Sequence, residues 1–273
     1  MPTVKANDGT ELYVKDWGQG RPVILIHGWP LNADSWEHQA LALAEAGYRV
    51  VSYDRRGFGR SGQPFSGFDY DTMADDLASV IDTLGLKDAT IAGFSMGGGE
   101  VARYITRHGT QKLRQAVLVS SIAPFMAKTG DNPDGVPDEV FEDMKAGVRK
   151  DRAAFMGDFF DDFYGEGTDA GGVSDAVLDW TWSMAMMGSI KATLDCIDAF
   201  AKTDLRPDME NFDIPTLVVH GTGDKIVPID TAGRKAAKMI KGATLKEYEG
   251  APHGLTATHA DQLTQDLLDF LKD

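Results

Sequence analysis

Short apolar runs alternate with amphipathic stretches along the first 121 residues, and the alternation resumes after residue 215. Residues 4–6 and 12–17 read as two short strands around Asn7-Asp8-Gly9-Thr10. Asp-Gly there makes a hairpin turn, because glycine takes φ > 0 without strain. Residues 23–26, Val-Ile-Leu-Ile, are branched throughout, the pattern of a strand buried on both faces of a parallel sheet. A helix is predicted over 36–46, ended by Gly47, and a strand over 48–53. Met73, Leu77, Val80, Ile81 and Leu84 recur at helical spacing, so 70–84 reads as an amphipathic helix ended by Gly85. Strand 89–94, helix 96–108 and strand 115–121 follow. The second stretch reads as strand 216–220, helix 229–240, strand 244–249 and helix 260–272.

This alternation predicts an α/β fold: a mostly parallel eight-stranded sheet with helices on both faces, its crossovers right-handed. Between residues 122 and 201 the alternation stops. Helices are predicted over 138–150, 152–163, 174–187 and 190–201, with no convincing strand. The chain therefore divides into a core of residues 1–121 and 202–273 and a helical insertion of residues 122–201.

An apolar fraction of 42% with 9% aromatics excludes global disorder. Aliphatic runs stop at about four residues, against the ~18 that span a bilayer. Met1-Pro2-Thr3-Val4-Lys5 has no apolar stretch, so no leader is expected. Cys196 is the single cysteine, which excludes an intramolecular disulfide and a cysteine-based metal site and makes a reducing cytoplasm the default compartment. The net charge is −15. Such a chain repels phosphate backbones and anionic lipid, so neither nucleic acid nor membrane is an expected partner. Residues 122–200 carry 16 acidic against 6 basic residues, a net of −10. Most of the charge therefore belongs to the insertion.

Gly93-Phe94-Ser95-Met96-Gly97 is a G-x-S-x-G motif placed where strand gives way to helix. That is the context of a nucleophile elbow, in which a sharp turn lifts Ser Oγ above the sheet. A serine hydroxyl needs a base, and the base an orienting acid, in the chain order Ser, acid, His. Downstream lie His108, His220, His253 and His259. His253 follows the last strand, at the same edge of the sheet as the elbow. His220 ends a buried strand and reads as structural, while His108 and His259 fall on helices and read as exposed. Asp224, in the loop after strand 216–220, is the candidate acid; its plain alternative is an Asx-turn residue. The backbone N–H groups of Met96 and Trp29 are the candidate oxyanion donors. Trp29 has the alternative of an aromatic core plug, and Pro30 has no N–H to offer. The glycine- and arginine-rich run from Asp54 to Gly62 lacks a P-loop lysine and reads as a structural loop pinned by Asp/Arg contacts.

His27-Gly28-Trp29-Pro30, Asp54-Arg55-Arg56-Gly57-Phe58-Gly59-Arg60-Ser61, Gly93-Phe94-Ser95-Met96-Gly97-Gly98-Gly99-Glu100 and Gly221-Thr222-Gly223-Asp224 together resemble the α/β-hydrolase superfamily. Within it they resemble bacterial aryl esterases and cofactor-free haloperoxidases. The resemblance covers almost the whole chain and is weakest in the insertion. It implies a Ser95–His253–Asp224 triad, an oxyanion hole from Trp29 and Met96, a helical cap, and no cofactor or metal. The implied reaction is acyl transfer from small carboxylic esters. Hydrogen peroxide in place of water would release a peracid able to oxidise halide, a chemistry that Pro30 favours by resemblance. Ser95 at the elbow argues against dehalogenase and epoxide-hydrolase chemistry, which need a carboxylate there. Lactonase or amidase action uses the same acyl-enzyme and stays open. A non-catalytic ligand-binding relative would not need the triad. Relatives of this kind often form homo-oligomers.

Phe125, Phe159, Ile226 and Val227, with Trp29, are the expected substrate contacts; Phe141, Phe160 and Phe163 are further candidates from the insertion. The insertion holds 10 aromatic residues and 6 methionines besides its acids. An acidic outer face over an apolar inner face is the expected arrangement of a lid above a site for uncharged esters.

Overall fold

The computed structural model describes residues 3–272; Met1 and Pro2, part of the stretch read for a leader, lie outside them. Strands β1 (Thr3–Lys5), β2 (Glu11–Trp17), β3 (Pro22–Ile26), β4 (Arg49–Tyr53), β5 (Ala89–Phe94), β6 (Leu113–Val119), β7 (Thr216–Gly221) and β8 (Thr244–Tyr248) form one sheet in the order β1-β2-β4-β3-β5-β6-β7-β8. β1 and β2 run antiparallel to their neighbours and every other pairing is parallel. Val23 to Ile26 of β3 are at most 1% exposed. Each such side chain contributes ~1.5–3 kcal/mol by leaving water, and that burial fixes β3 at the centre.

The helices are α1 (Glu37–Glu45), α2 (Tyr70–Thr83), α3 (Met96–His108), α4 (Asp138–Tyr164), α5 (Asp175–Met187), α6 (Ile190–Lys202), α7 (Arg206–Met209), α8 (Gly233–Met239), α9 (Leu255–Thr258) and α10 (Ala260–Lys272). The expected break at residue 151 is present inside α4. Asp151 leaves helical geometry (φ −159°, ψ 90°), and its carboxylate accepts the Ala154 N–H at 3.0 Å, capping the second half. The helix expected over 229–240 starts only at Gly233. Residues 228–231 form a turn instead, with the Thr231 N–H and hydroxyl both donating to the Pro228 carbonyl. His259 lies in the turn between α9 and α10 and is half-buried against Tyr248, so it is neither helical nor exposed as expected. Among the described residues no helix is long and apolar enough to cross a membrane.

The loop from Asp54 to Gly62 is structural, as read. Asp54 is fully buried and accepts from Ala33 N at 2.9 Å and from Arg60 N and Nε at 2.7 Å. Arg56 is bonded by two nitrogens to Asp76, each at 2.6 Å. Deeper still, Arg55 Nε donates to Glu100 Oε2 at 2.8 Å, with both side chains at most 1% exposed. Burial pushes the Glu100 carboxyl well above its usual range and Arg55 below its own, so each charge rests on the other. Glu100→Ala would strand a buried guanidinium and destabilise the fold by about 3–5 kcal/mol. Equilibrium guanidinium unfolding of the two proteins checks this.

Candidate active site

Ser95 stands between β5 and α3 at φ 53° and ψ −118°, backbone that L residues rarely adopt. Two glycines make the crossing possible. A Cβ at Gly97 would lie 2.6 Å from the Ile26 carbonyl oxygen, so only glycine lets α3 approach β3 there. A Cβ at Gly28 would lie 2.9 Å from that of Ser95, so the loop 27–30 can pass beside the serine.

The Ser95 hydroxyl donates to His253 Nε2 at 2.9 Å, and His253 Nδ1–H donates to Asp224 Oδ2 at 2.7 Å. The proton is assigned to Nδ1 because the carboxylate can only accept. The His253 ring is buried, edge-on to Phe163 at 4.9 Å and tilted against Phe94 at 5.3 Å. The Ser120 hydroxyl holds its carbonyl at 3.0 Å. Asp224 Oδ1 accepts the Ile226 and Val227 N–H groups at 2.9 and 2.8 Å. The Asx turn is therefore real and coexists with the contact to His253. Burial opposes ionisation of Asp224, but the contacts with His253 and His220 outweigh it and hold the carboxyl at about 2.

Met96 N–H opens α3 and, as the first helical residue, has no carbonyl one turn back to serve. Among the described residues nothing accepts from the backbone N–H of Trp29. The Trp29 indole is fixed separately, its Nε1–H donating to the Thr193 carbonyl at 3.0 Å and its ring edge-on to Phe159 and Phe200. Trp29 is thus also the core plug of the alternative reading, at 3% exposure.

A cavity of about 380 Å³ opens over Ser95 and His253. Trp29, Phe159, Ile226, Val227 and Phe141 are among the residues that line it. Phe125 is not. Arg206, paired to Asp204 and Asp131, lies 5.0 Å over the Phe125 ring, and Ile122 and Met126 face the cavity in its place. Phe160 and Phe163 are buried behind the lining, with Phe163 against His253.

The insertion's acids are on the surface: fourteen of the sixteen are exposed, and Asp195 and Asp198 are half-buried. Two of them, Asp158 and Asp162, nevertheless line the cavity beside Lys225, which was not expected. Their spacing of one helical turn was visible, but not which face of α4 turns inward. Lys225 sits 3.3 Å from Asp162; Asp158 has no ion-pair partner among the described residues. Replacing both by asparagine removes a repulsion at the mouth. kcat/KM for a carboxylate-bearing aryl ester should rise by roughly two- to fivefold at low salt, with an uncharged ester unchanged. A salt series on both substrates checks it.

A hydroxyl whose proton can pass to a buried, carboxylate-oriented imidazole, beside two unused N–H groups and under an apolar cavity, can attack a carbonyl and hold the resulting oxyanion. The model of the α/β hydrolase fold family matches residues 21–260. The non-heme chloroperoxidase CPO-A1 of Kitasatospora aureofaciens is 50% identical over 273 residues, 99% of each chain. A bifunctional esterase/perhydrolase of Acinetobacter calcoaceticus is 42% identical, with 100% of each chain covered. The crystal structure of a bromoperoxidase from Bacillus anthracis superposes with a TM-score of 0.96 at 46% identity, covering 100% of this chain and 99% of that one. Sheet order, elbow and whole-length identity agree, and the chain belongs to the α/β-hydrolase family, alongside its non-heme haloperoxidases.

Proposed function

We propose that this protein is a serine hydrolase of small carboxylic esters that also makes peracids from short acids and hydrogen peroxide. The continuous Ser95–His253–Asp224 relay beneath an apolar cavity carries this reading. His253 Nε2 takes the Ser95 proton as Oγ bonds to the ester carbonyl carbon. Trp29 and Met96 N–H groups hold the oxyanion, and Asp224 holds the imidazolium. The tetrahedral centre collapses, the carbon–oxygen bond to the alcohol breaks, and His253 returns the proton to the leaving oxygen. Water then releases the acid, or hydrogen peroxide releases the peracid, by the same steps in reverse. The peracid passes one oxygen to halide, giving hypohalite and the parent acid. The printed names of the relatives, chloroperoxidase and esterase/perhydrolase, support both branches.

The helices of residues 122–201 act as a cap whose inner aromatics shape the acyl pocket; the cavity lining supports this. The same reading keeps the enzyme in the cytoplasm, which a single buried Cys196 suits. It also expects homo-oligomers, in line with exposed Phe65, Met187 and Ile190, and light scattering would give their mass.

The test is a series of aryl esters of increasing acyl length, with hydrogen peroxide as competing acceptor and lactone and amide members included. Short acyl esters should turn over fastest and yield peracid in proportion to peroxide. No hydrolysis of any member would end the reading, and no peroxide-dependent halogenation at mildly acidic pH would end its second branch.

A further inference from the structure

His220, near the end of β7, is fully buried four residues before Asp224. Its Nε2 lies 2.8 Å from the Val227 carbonyl oxygen and 3.2 Å from Asp224 Oδ2. A carbonyl only accepts, so Nε2 carries the proton. Nδ1 is then bare, and it is buried with no hydrogen-bond partner among the described residues. Helix α8 closes over it: a Cβ at Gly233 would stand 2.7 Å from Nδ1. Among the described residues nothing is placed to accept from Nδ1, so the ring sits in the Nε2–H tautomer.

We propose that His220 is a positioning residue for the acid of the relay. Its Nε2–H pins the Val227 carbonyl, and its electropositive edge faces the Asp224 oxygen that serves His253. The turn 224–227 is thereby held from both sides. Asp224 Oδ1 ties down the Ile226 and Val227 N–H groups, and His220 ties down the far side of Val227. Oδ2 is shared by two imidazoles. The proposal rests on the relay reading above.

The charged groups around His220 are few. Asp224 is in its own loop and His253 stands beyond that carboxylate. On β8, Glu247 is its partner in strand register. Glu247 is bonded to Arg234 of α8 at 2.8 Å, and Arg234 to Asp230 at 2.8 Å, so the charge from that side is largely answered.

With the His220 edge gone, Oδ2 carries more of its charge toward His253 Nδ1–H and favours the imidazolium. The acid limb of kcat/KM then moves to higher pH. In His220→Leu, kcat should fall roughly tenfold with KM within about twofold. The acid limb should rise by roughly half a unit to one unit. His220→Gln places an amide N–H at similar reach and should restore both. An unmoved acid limb in folded His220→Leu, or an equal loss in His220→Gln, overturns the proposal. Nitrogen NMR of the unaltered protein needs no variant: Nε2 protonated and Nδ1 bare through the acid limb is expected, and a proton on Nδ1 overturns it. That readout is independent of turnover. Failure of the relay reading shows separately, as hydrolysis surviving in Ser95→Ala.

Discussion

Ser95→Ala should lower kcat for an aryl acetate by about a millionfold and leave KM nearly unchanged. The substitution removes only the attacking oxygen. The cavity, the Trp29 and Met96 N–H groups and the His253–Asp224 pair all remain. Their residual effect on a water attack sets the floor, ~10³–10⁴ above the uncatalysed rate. Stability should change little, because alanine meets the same φ of 53° as the serine it replaces. A purely structural role for Ser95 would give the reverse result, with turnover intact and unfolding shifted. The peroxide-dependent reaction should vanish with the hydrolysis, since both draw on one acyl-enzyme.

Asp224→Asn should give the second largest effect, about 10⁴-fold in kcat. The reason lies in the turn. Ile226 and Val227 N–H groups require an acceptor at Oδ1. The asparagine must therefore turn its oxygen to them and its NH₂ toward His253. His253 Nδ1 then has to accept, which moves the ring proton to Nε2. In that tautomer the ring cannot take the Ser95 proton. His220 Nε2–H, 3.2 Å from the same position, adds a second donor facing the NH₂. KM should hold, since Asp224 does not line the cavity. Burial raises the Asp224 carboxyl, but the contacts to His253 and His220 outweigh that and bring it to about 2, so it stays charged across the working range. The variant should therefore be slow at every pH rather than shifted.

The elbow was legible because it is local. Gly93, Ser95 and Gly97 sit on a strand-to-helix switch that hydrophobic periodicity reveals without tertiary information. The pairing of Asp224 with His253 was legible because parallel topology sends the ends of β5, β7 and β8 to one edge, and loop position together with chain order points to these two residues. What depends on rotation about an element was not legible. Phe125 was placed by its nearness to β6, yet the chain after Ser121 turns Ile122 and Met126 inward and leaves Phe125 under Arg206. The start of α8 was misjudged because the turn anchored on Pro228 outweighs the apolar spacing of 229–240. His220 read as structural, and its place beside Asp224 emerges only once the loop 224–227 is folded back on β7. The insertion's acids lie at the surface, and Asp158 and Asp162 bring part of that charge to the cavity mouth.

The central claim is that the acyl group passes through Ser95. Mixing the protein with an excess of aryl acetate, quenching in acid within one turnover and weighing the chain and its peptides tests that claim most directly. The account predicts a burst of phenol and the added mass of one acetyl group on the peptide holding Ser95. Peroxide should shorten the life of that adduct as peracid appears. An adduct on another residue, or full turnover with no covalent species and no loss in Ser95→Ala, would contradict it.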